Sequence, residues 1–305
     1  MAIVLQESLR ALFYAPYYAA IELGAYAQEG LDVRLVSAPN PALAAHALFH
    51  GTVDVAWGGP MRVNQMYDQR ANCDLVCFGE AVTRDPFMLI GRPARPNFRL
   101  GVLLAVRIAT VSEVPTPWLC LQEDLRRAGV NPEALARIAD QTMLENMTEL
   151  RHAEIDAAQL CQPYAEELIA AGEGFLWYAA ADRGPCSYTS FYARASVIGA
   201  RRDEMRKLVR GLYRTQRWLY REPPDRLADV IRPYFPNVPV PLLHAAVARY
   251  RALGIWGRNP ILPRAGYERL RMSLVSGGFA RGTPYEFAVD NSLAEEVVDE
   301  DPPPL

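Results

Sequence analysis

Apolar and polar positions along the first eighty residues switch repeatedly between a period of two and a period near 3.6. Ala2–Leu5 is a short apolar run and predicts a strand. Ala15–Glu29 has apolar residues at helical spacing (Tyr17, Ala20, Ile21, Tyr26), Pro16 at its start and Gly30 where a C-cap belongs. Leu31–Val36 alternates as a strand. Asn40-Pro41 supplies an N-cap and an N1 proline for a helix to about His50. Val53–Trp57 is the next strand, Gly58-Gly59-Pro60 opens another helix, and Leu75–Phe78 is a fourth strand. This strand–helix order predicts a mostly parallel sheet covered by helices.

The pattern then restarts. Leu100–Thr110 predicts a strand, Thr116-Pro117 opens the helix Trp118–Ala128, and Gly129 stops it. Asn131-Pro132 caps a short element. Met143–His152 reads as a helix, Ile155–Leu160 as a strand, Pro163–Ala171 as a helix and Phe175–Ala180 as a strand. Phe191–Ile198 is strand-like. From Asp203 the chain is mainly helical, with breaks at Pro223-Pro224, Pro233, Pro236, Pro239 and Pro260. Gly91–Pro96, rich in Pro, Gly and Arg, reads as a crossover between two units, and Gly184–Thr189 as the return. The expectation is an α/β chain of two lobes with a helical C-terminal region. Residues 1–85 and 190–292 form one lobe, and residues 86–189 form the other. Residues 293–305, acidic and proline-rich, form a disordered tail.

Composition narrows the function classes. Half of the 305 residues are apolar and 22% are charged, as in a globular protein with a sizeable core. A net charge of −3 gives no footing for nucleic acid or an anionic membrane. The basic residues are almost all arginine, and Lys207 is the only lysine. Cys73, Cys77, Cys120, Cys161 and Cys186 are odd in number and scattered, which predicts mostly free, buried thiols. No apolar run is long enough to cross a bilayer. After Met1-Ala-Ile-Val-Leu, the polar Gln6, Glu7, Ser8 and Arg10 come too early for a signal core. The chain as written therefore reads as cytoplasmic, or as periplasmic if a leader is removed.

Three segments point to a family. They are Ala15-Pro-Tyr-Tyr-Ala-Ala-Ile-Glu-Leu-Gly-Ala-Tyr-Ala-Gln-Glu-Gly-Leu-Asp-Val33, Gly51-Thr-Val-Asp-Val-Ala-Trp57 and Ala153-Glu-Ile-Asp-Ala-Ala-Gln-Leu-Cys-Gln-Pro163. Together they resemble the nitrate-, sulfonate- and taurine-binding proteins, a family that also contains the thiamine-pyrimidine precursor proteins. The third segment departs from the pattern, with His152-Ala153 where a glycine is usual. The resemblance implies a type II periplasmic-binding-protein fold with two crossovers, and a ligand held between the lobes. It also implies the solute-binding role of an ABC importer. In parallel α/β sheets ligands gather at the C-terminal strand ends, where helix N-termini meet the crevice.

The candidate ligand-binding residues follow from that placement. Ser8 and Tyr14 lie in or near the loop after the first strand. Tyr14 and Tyr17 can stack on a planar ligand, or can be packing aromatics at the top of a helix. At Trp57, Gly58 and Gly59 a strand ends and a helix opens, so backbone can approach a ligand closely. Pro60 removes one donor there. Arg62 can pair with an oxyanion or sit solvated. In the second lobe Ser112, Thr116 and Trp118 form the corresponding opening, with Thr116 as N-cap. Gln162 and Tyr164 start a later helix, and Tyr188 lies in the return crossover. Prolines thin both helix openings and aromatics are frequent, which points to a planar or partly apolar organic ligand with few charges.

Other chemistry fares worse. His46 and His50 share a helix face, but their third metal ligand would have to be something like Asp54. The pyrimidine synthases that resemble this chain use a lysine just after the Val-Asp strand and a histidine four residues later; Gly58 and Arg62 stand there. Related sulfinate desulfinases use a cysteine after the first strand, and residues 6–18 contain none. The alternatives kept are a cytoplasmic ligand sensor and an enzyme on the same fold, of decarboxylase or pyrimidine-precursor type. No cofactor and no metal are expected. The expected partners are a small molecule and an ABC permease, for a monomer or homodimer that binds no nucleic acid and does not span the membrane.

Overall fold

The alternating pattern resolves into two mixed sheets of five strands each. The structure is a computed structural model, and it describes residues 2–40 and 43–305. The expected N1 proline, Pro41, lies outside the described residues, although the Asn40 side chain accepts a hydrogen bond from the Leu43 N–H at 3.1 Å.

The first sheet contains β1 (Ile3–Glu7), β2 (Val33–Ser37), β3 (Val55–Gly58) and β4 (Leu75–Val82). The second contains β5 (Met88–Gly91), β6 (Arg107–Ala109), β7 (Ala136–Ile138), β8 (Ala157–Leu160) and β9 (Phe175–Ala179). The chain then returns to the first sheet as β10 (Thr189–Arg194). The strand orders are β2-β1-β3-β10-β4 and β7-β6-β8-β5-β9. Each sheet is parallel through its first three strands. Each also takes one antiparallel strand beside the third: β10 between β3 and β4, and β5 between β8 and β9. Those inserted strands are the ones next to the two crossings.

The first lobe is covered by α1 (Ala15–Glu22), α2 (Ala25–Gln28), α3 (Ala44–Phe49) and α4 (Pro60–Gln69). The second carries α5 (Thr116–Arg127), α6 (Met143–Arg151) and α7 (Tyr164–Ala170). The C-terminal region adds α8 (Ala195–Ala200), α9 (Arg202–Arg221), α10 (Pro224–Ile231) and α11 (Val240–Ala252). It ends in α12 (Arg264–Ser276), α13 (Tyr285–Ala288) and α14 (Ser292–Asp299). The long helix α9 buries Met205, Leu208, Val209, Leu212, Gln216 and Leu219, one stripe at helical spacing, and so docks on the first lobe.

Several expectations need correction. The helix expected over Ala15–Glu29 breaks at Gly24, whose φ of 67° is left-handed. Met88–Gly91 is already a strand of the second sheet, so the first crossing occupies residues 83–87 and not Gly91–Pro96. Leu100–Ala105 is a 3₁₀ turn, and only Arg107–Ala109 of that apolar run pairs as a strand. β10 ends at Arg194, where Asp74 draws the chain into α8: its side chain bonds Arg194 and Ser196, and its carbonyl accepts from the Ala195 N–H. The tail is not a disordered segment. α14 seals Leu293, Ala294 and Val297 against the core, and Arg202, Arg206 and Arg217 pair with Glu296, Glu300 and Asp301. An acidic run opposite an arginine-rich helix face is ordered by that complementarity. All five cysteines are free thiols, and only Cys73 is partly exposed.

The C-terminal helices tie the lobes together. Leu270 and Leu274 of α12 share an apolar cluster with Leu119 and Cys120 of α5. On α11, Tyr250 accepts the Gln162 N–H at 2.8 Å and Arg249 pairs with Glu166 of α7.

Candidate functional site

β1 and β3 are neighbours with Glu7 opposite Trp57 in the register. The loop after β1 and the opening of α4 therefore leave the sheet side by side, at its C-terminal edge. Glu7 fixes that loop. Its carboxylate, 1% exposed, accepts from the Tyr18 and Ser37 hydroxyls at 2.6 Å each and from the Arg10 guanidinium. Sequence reasoning passed over Glu7 because a single acidic residue at a strand end carries no distinguishing pattern. Gly58 has a steric reason. A Cβ there would lie 3.3 Å from the Tyr192 ring and 3.4 Å from Ser8 Oγ, so a side chain would crowd the cleft.

A cavity of about 40 Å³ sits at this edge, between the lobes. Of the residues predicted from sequence, the structure brings Ser8, Tyr14, Gly58, Gly59, Arg62, Thr116 and Tyr188 to its wall. It adds Leu9, Phe13, Met61, Val114 and Tyr192. Tyr192 had one available signal. It follows Tyr188 by four residues in an extended segment, and even offsets share a sheet face. The four apolar additions look like ordinary core residues in sequence.

Arg62 is the one charged group on the wall, and it is 7% exposed. Its guanidinium donates to Gln65, and no carboxylate among the described residues pairs with it. Burial pulls its pKa down from the usual arginine value, opposed by the nearby Tyr192 and Tyr14 hydroxyls. Tyr14 and Ser8 share a hydrogen bond of 2.9 Å. The hydroxyls of Tyr188 and Tyr192 are buried without a partner among the described residues, and burial pushes both well above the ordinary tyrosine pKa. They stay protonated donors at neutral pH. The helix opening itself offers little. Pro60 at N1 has no N–H, and the Arg62 N–H is spent on the Gly59 carbonyl at 2.9 Å.

The other predicted residues stand elsewhere. Trp57 is fully buried beneath the cavity, stacked on Tyr17 with centroids 4.7 Å apart and planes 4° apart. Tyr17 reaches the Gly79 carbonyl at 3.4 Å. Both are core aromatics, because a residue on a central strand with both faces covered turns inward. Trp118 packs in the second lobe's core with the Arg137 guanidinium 4.1 Å from its ring centroid. Thr116 is the first residue of α5 and caps nothing; the N-cap is Pro115. Ser112 is exposed outside the cavity wall. Gln162 closes the start of α7, accepting from the Glu166 N–H at 3.0 Å and donating to its carboxylate at 3.2 Å. Tyr164 lies half-buried against the main core. Asp54, weighed as a third metal ligand, is engaged by the Val4 N–H at 2.8 Å and by Arg201 at 2.9 Å. Among the described residues no three His, Cys, Asp or Glu side chains cluster as a metal site. No described helix is long and apolar enough to cross a membrane.

Comparison with known proteins matches this architecture. The "Putative binding protein YtlA" of Bacillus subtilis (strain 168) is 22% identical over 302 residues, covering 96% of this chain and 89% of that protein. The periplasmic aliphatic sulphonate binding protein SsuA from Escherichia coli superposes with a TM-score of 0.76 at 12% identity, covering 95% of this chain and 92% of that one. The periplasmic nitrate-binding protein NrtA from Synechocystis PCC 6803 gives a TM-score of 0.71 at 13% identity, covering 98% of this chain and 88% of that one. At these identities the solved structures establish a shared two-lobed periplasmic-binding-protein fold. The "NMT1/THI5 like" family model matches residues 13–225, and the chain belongs to that family.

Proposed function

We propose that this protein is the solute-binding component of an ABC importer, and that it captures a compact organic anion between its lobes. One observation carries the ligand class: Arg62 is a buried guanidinium on the cavity wall with no carboxylate partner among the described residues. A buried charge left unpaired is costly, and an anionic ligand group offsets that cost by supplying the counter-charge. The hydroxyls of Tyr188 and Tyr192 supply further donors. The remaining wall, Leu9, Phe13, Met61 and Val114, suits an apolar or planar body and offers nothing to a second charge.

Transport chemistry needs no covalent step. Lys207 is bonded to Asp203 at 2.7 Å on α9, away from the cavity, so no amine stands ready for a Schiff base. The cavity is far smaller than the roughly 300–1,000 Å³ that enclose a drug-sized ligand. Entry therefore requires the lobes to part about the crossings at residues 83–87 and 184–188, and closure excludes water. The importer role is supported by the family and by solved relatives named as sulphonate- and nitrate-binding proteins.

The test is native mass spectrometry of copurified ligand, followed by thermal shift with alkanesulfonates, aromatic carboxylates, pyrimidines and nitrate. A stabilising organic anion is the expected result. Stabilisation by nitrate alone, or by an uncharged pyrimidine alone, contradicts the proposal.

A further inference from the structure

A second concavity of about 610 Å³ is lined by a different set of residues. It spans Thr83 and Arg84 of the first crossing, Pro185 of the second, and the connection between α11 and α12. No residue lines both cavities, although Trp256 of this one donates to the carbonyl of Phe13 on the cleft wall at 2.9 Å. Its volume falls in the range of sites that enclose small molecules.

Its chemistry is one-sided. Arg84, Arg251 and Arg258 all line it, and no carboxylate among the described residues pairs with any of them. Arg251 donates to the Tyr220 carbonyl at 2.7 Å and to the Glu222 carbonyl. Arg258 lies 4.2 Å from the Tyr220 ring centroid. Arg251 lies 5.6 Å from the same centroid, and the pull of Arg258, Arg251 and Arg84 partly offsets the burial that raises the Tyr220 hydroxyl. On the α9 face, by comparison, Arg202, Arg206, Arg210 and Arg214 each have an acidic partner.

The inner wall gives a second, independent sign. Glu80 is 1% exposed, lines the concavity, and its Oε1 has no hydrogen-bond partner among the described residues. Burial pushes its carboxyl up to about 8, with Ser187 and Thr83 pulling partway back. Below that pH the group is a neutral acid, a hydrogen-bond donor instead of a repelling charge.

We infer that this groove is a second ligand site, and that it takes a compact anion of two or more negative charges held by Arg84, Arg251 and Arg258. Guanidinium groups suit phosphate and carboxylate oxygens equally in their fork geometry. Arg258 already covers Tyr220, so the site selects charge over an aromatic body. An anion bridging Arg84 to Arg258 ties the first crossing to the α11–α12 connection. Occupancy then acts on the segments about which the lobes move.

Isothermal titration of the full chain with pyrophosphate and, separately, citrate at pH 7 tests this. The two arms distinguish a phosphate-type from a carboxylate-type ligand. At least one should bind, and R84Q/R258Q should weaken it by at least tenfold with far-UV circular dichroism unchanged. R62Q, which disables the cleft, should leave this affinity within about twofold, as expected for sites with no shared partner. Absence of binding by both probes, unchanged affinity in R84Q/R258Q, or loss of the binding in R62Q overturns the inference. None of these outcomes depends on the identity of the cleft ligand.

Discussion

The two lobes share one strand order, yet they contribute unequally to the cleft. The first supplies Ser8, Tyr14, Gly58, Arg62 and Tyr192, while the second supplies only Val114, before α5, and Thr116, its first residue. The equivalent positions in the second lobe are spent on structure. Trp118 fills its core under Arg137, and Gln162 holds α7, which Arg249 in turn clamps through Glu166. A topological position at a strand end makes a ligand site available, and the local side chains decide whether it is used. In this protein the first lobe supplies most of the cavity wall and the second only its edge.

The buried charges of the two lobes differ in the same way, and the largest expected effect comes from that difference. At the second lobe, Arg183 is 5% exposed and is shared by Asp85, fully buried, and Asp124, which it meets at 2.9 Å. Replacing Arg183 with Met leaves two buried carboxylates unpaired. We expect a loss of about 3–5 kcal/mol in urea-unfolding stability. A loss below about 1 kcal/mol would mean the network is solvated and the contrast between lobes is false.

In the first lobe, by contrast, Glu80 is buried without a cation bonded to it, and its carboxyl is held at about 8 against an ordinary 4.5. The folded state therefore keeps a proton that the unfolded state releases. The associated stability is fully present below pH 4.5 and is lost as pH rises through about 8. The slope is at most about 1.4 kcal/mol per pH unit in that window. E80Q should flatten the pH dependence of urea-unfolding stability between about pH 5 and 8. An unchanged slope would show that Glu80 ionises in the folded protein.

The smallest effect is expected at Trp118. W118F should cost up to about 1.5 kcal/mol of stability by losing packed area, while ligand affinity stays within about twofold. A tenfold loss of affinity at unchanged stability would return Trp118 to the site and undo the division of labour.

The family segments and the order of strands made the fold readable. Tyr17, Ala20 and Ile21 at helical spacing, and the Val55-Ala-Trp run of β3, needed no tertiary information. Element type failed where partners decide it. Leu100–Ala105 is as apolar as a strand but has none beside it, and the acidic tail is ordered by burial of Leu293 and Val297 together with the arginines of α9. The site was half legible. Ser8 follows β1, Gly58 ends β3 and Arg62 lies in the first turn of α4, strand-to-helix junctions that sequence reveals. Leu9, Phe13 and Val114 differ in nothing but position from core residues, while Trp57 and Tyr17 were drawn into the site by an aromatic character that the core uses instead.

The central claim is that Arg62 receives the anionic group of an organic ligand. Isothermal titration of wild type and R62Q with the strongest stabiliser from the thermal-shift panel tests it most directly. The account predicts a loss of about 2–3 kcal/mol, roughly thirty- to a hundredfold in Kd, with the ligand-free melting temperature unchanged or raised. Affinity within twofold of wild type would contradict it.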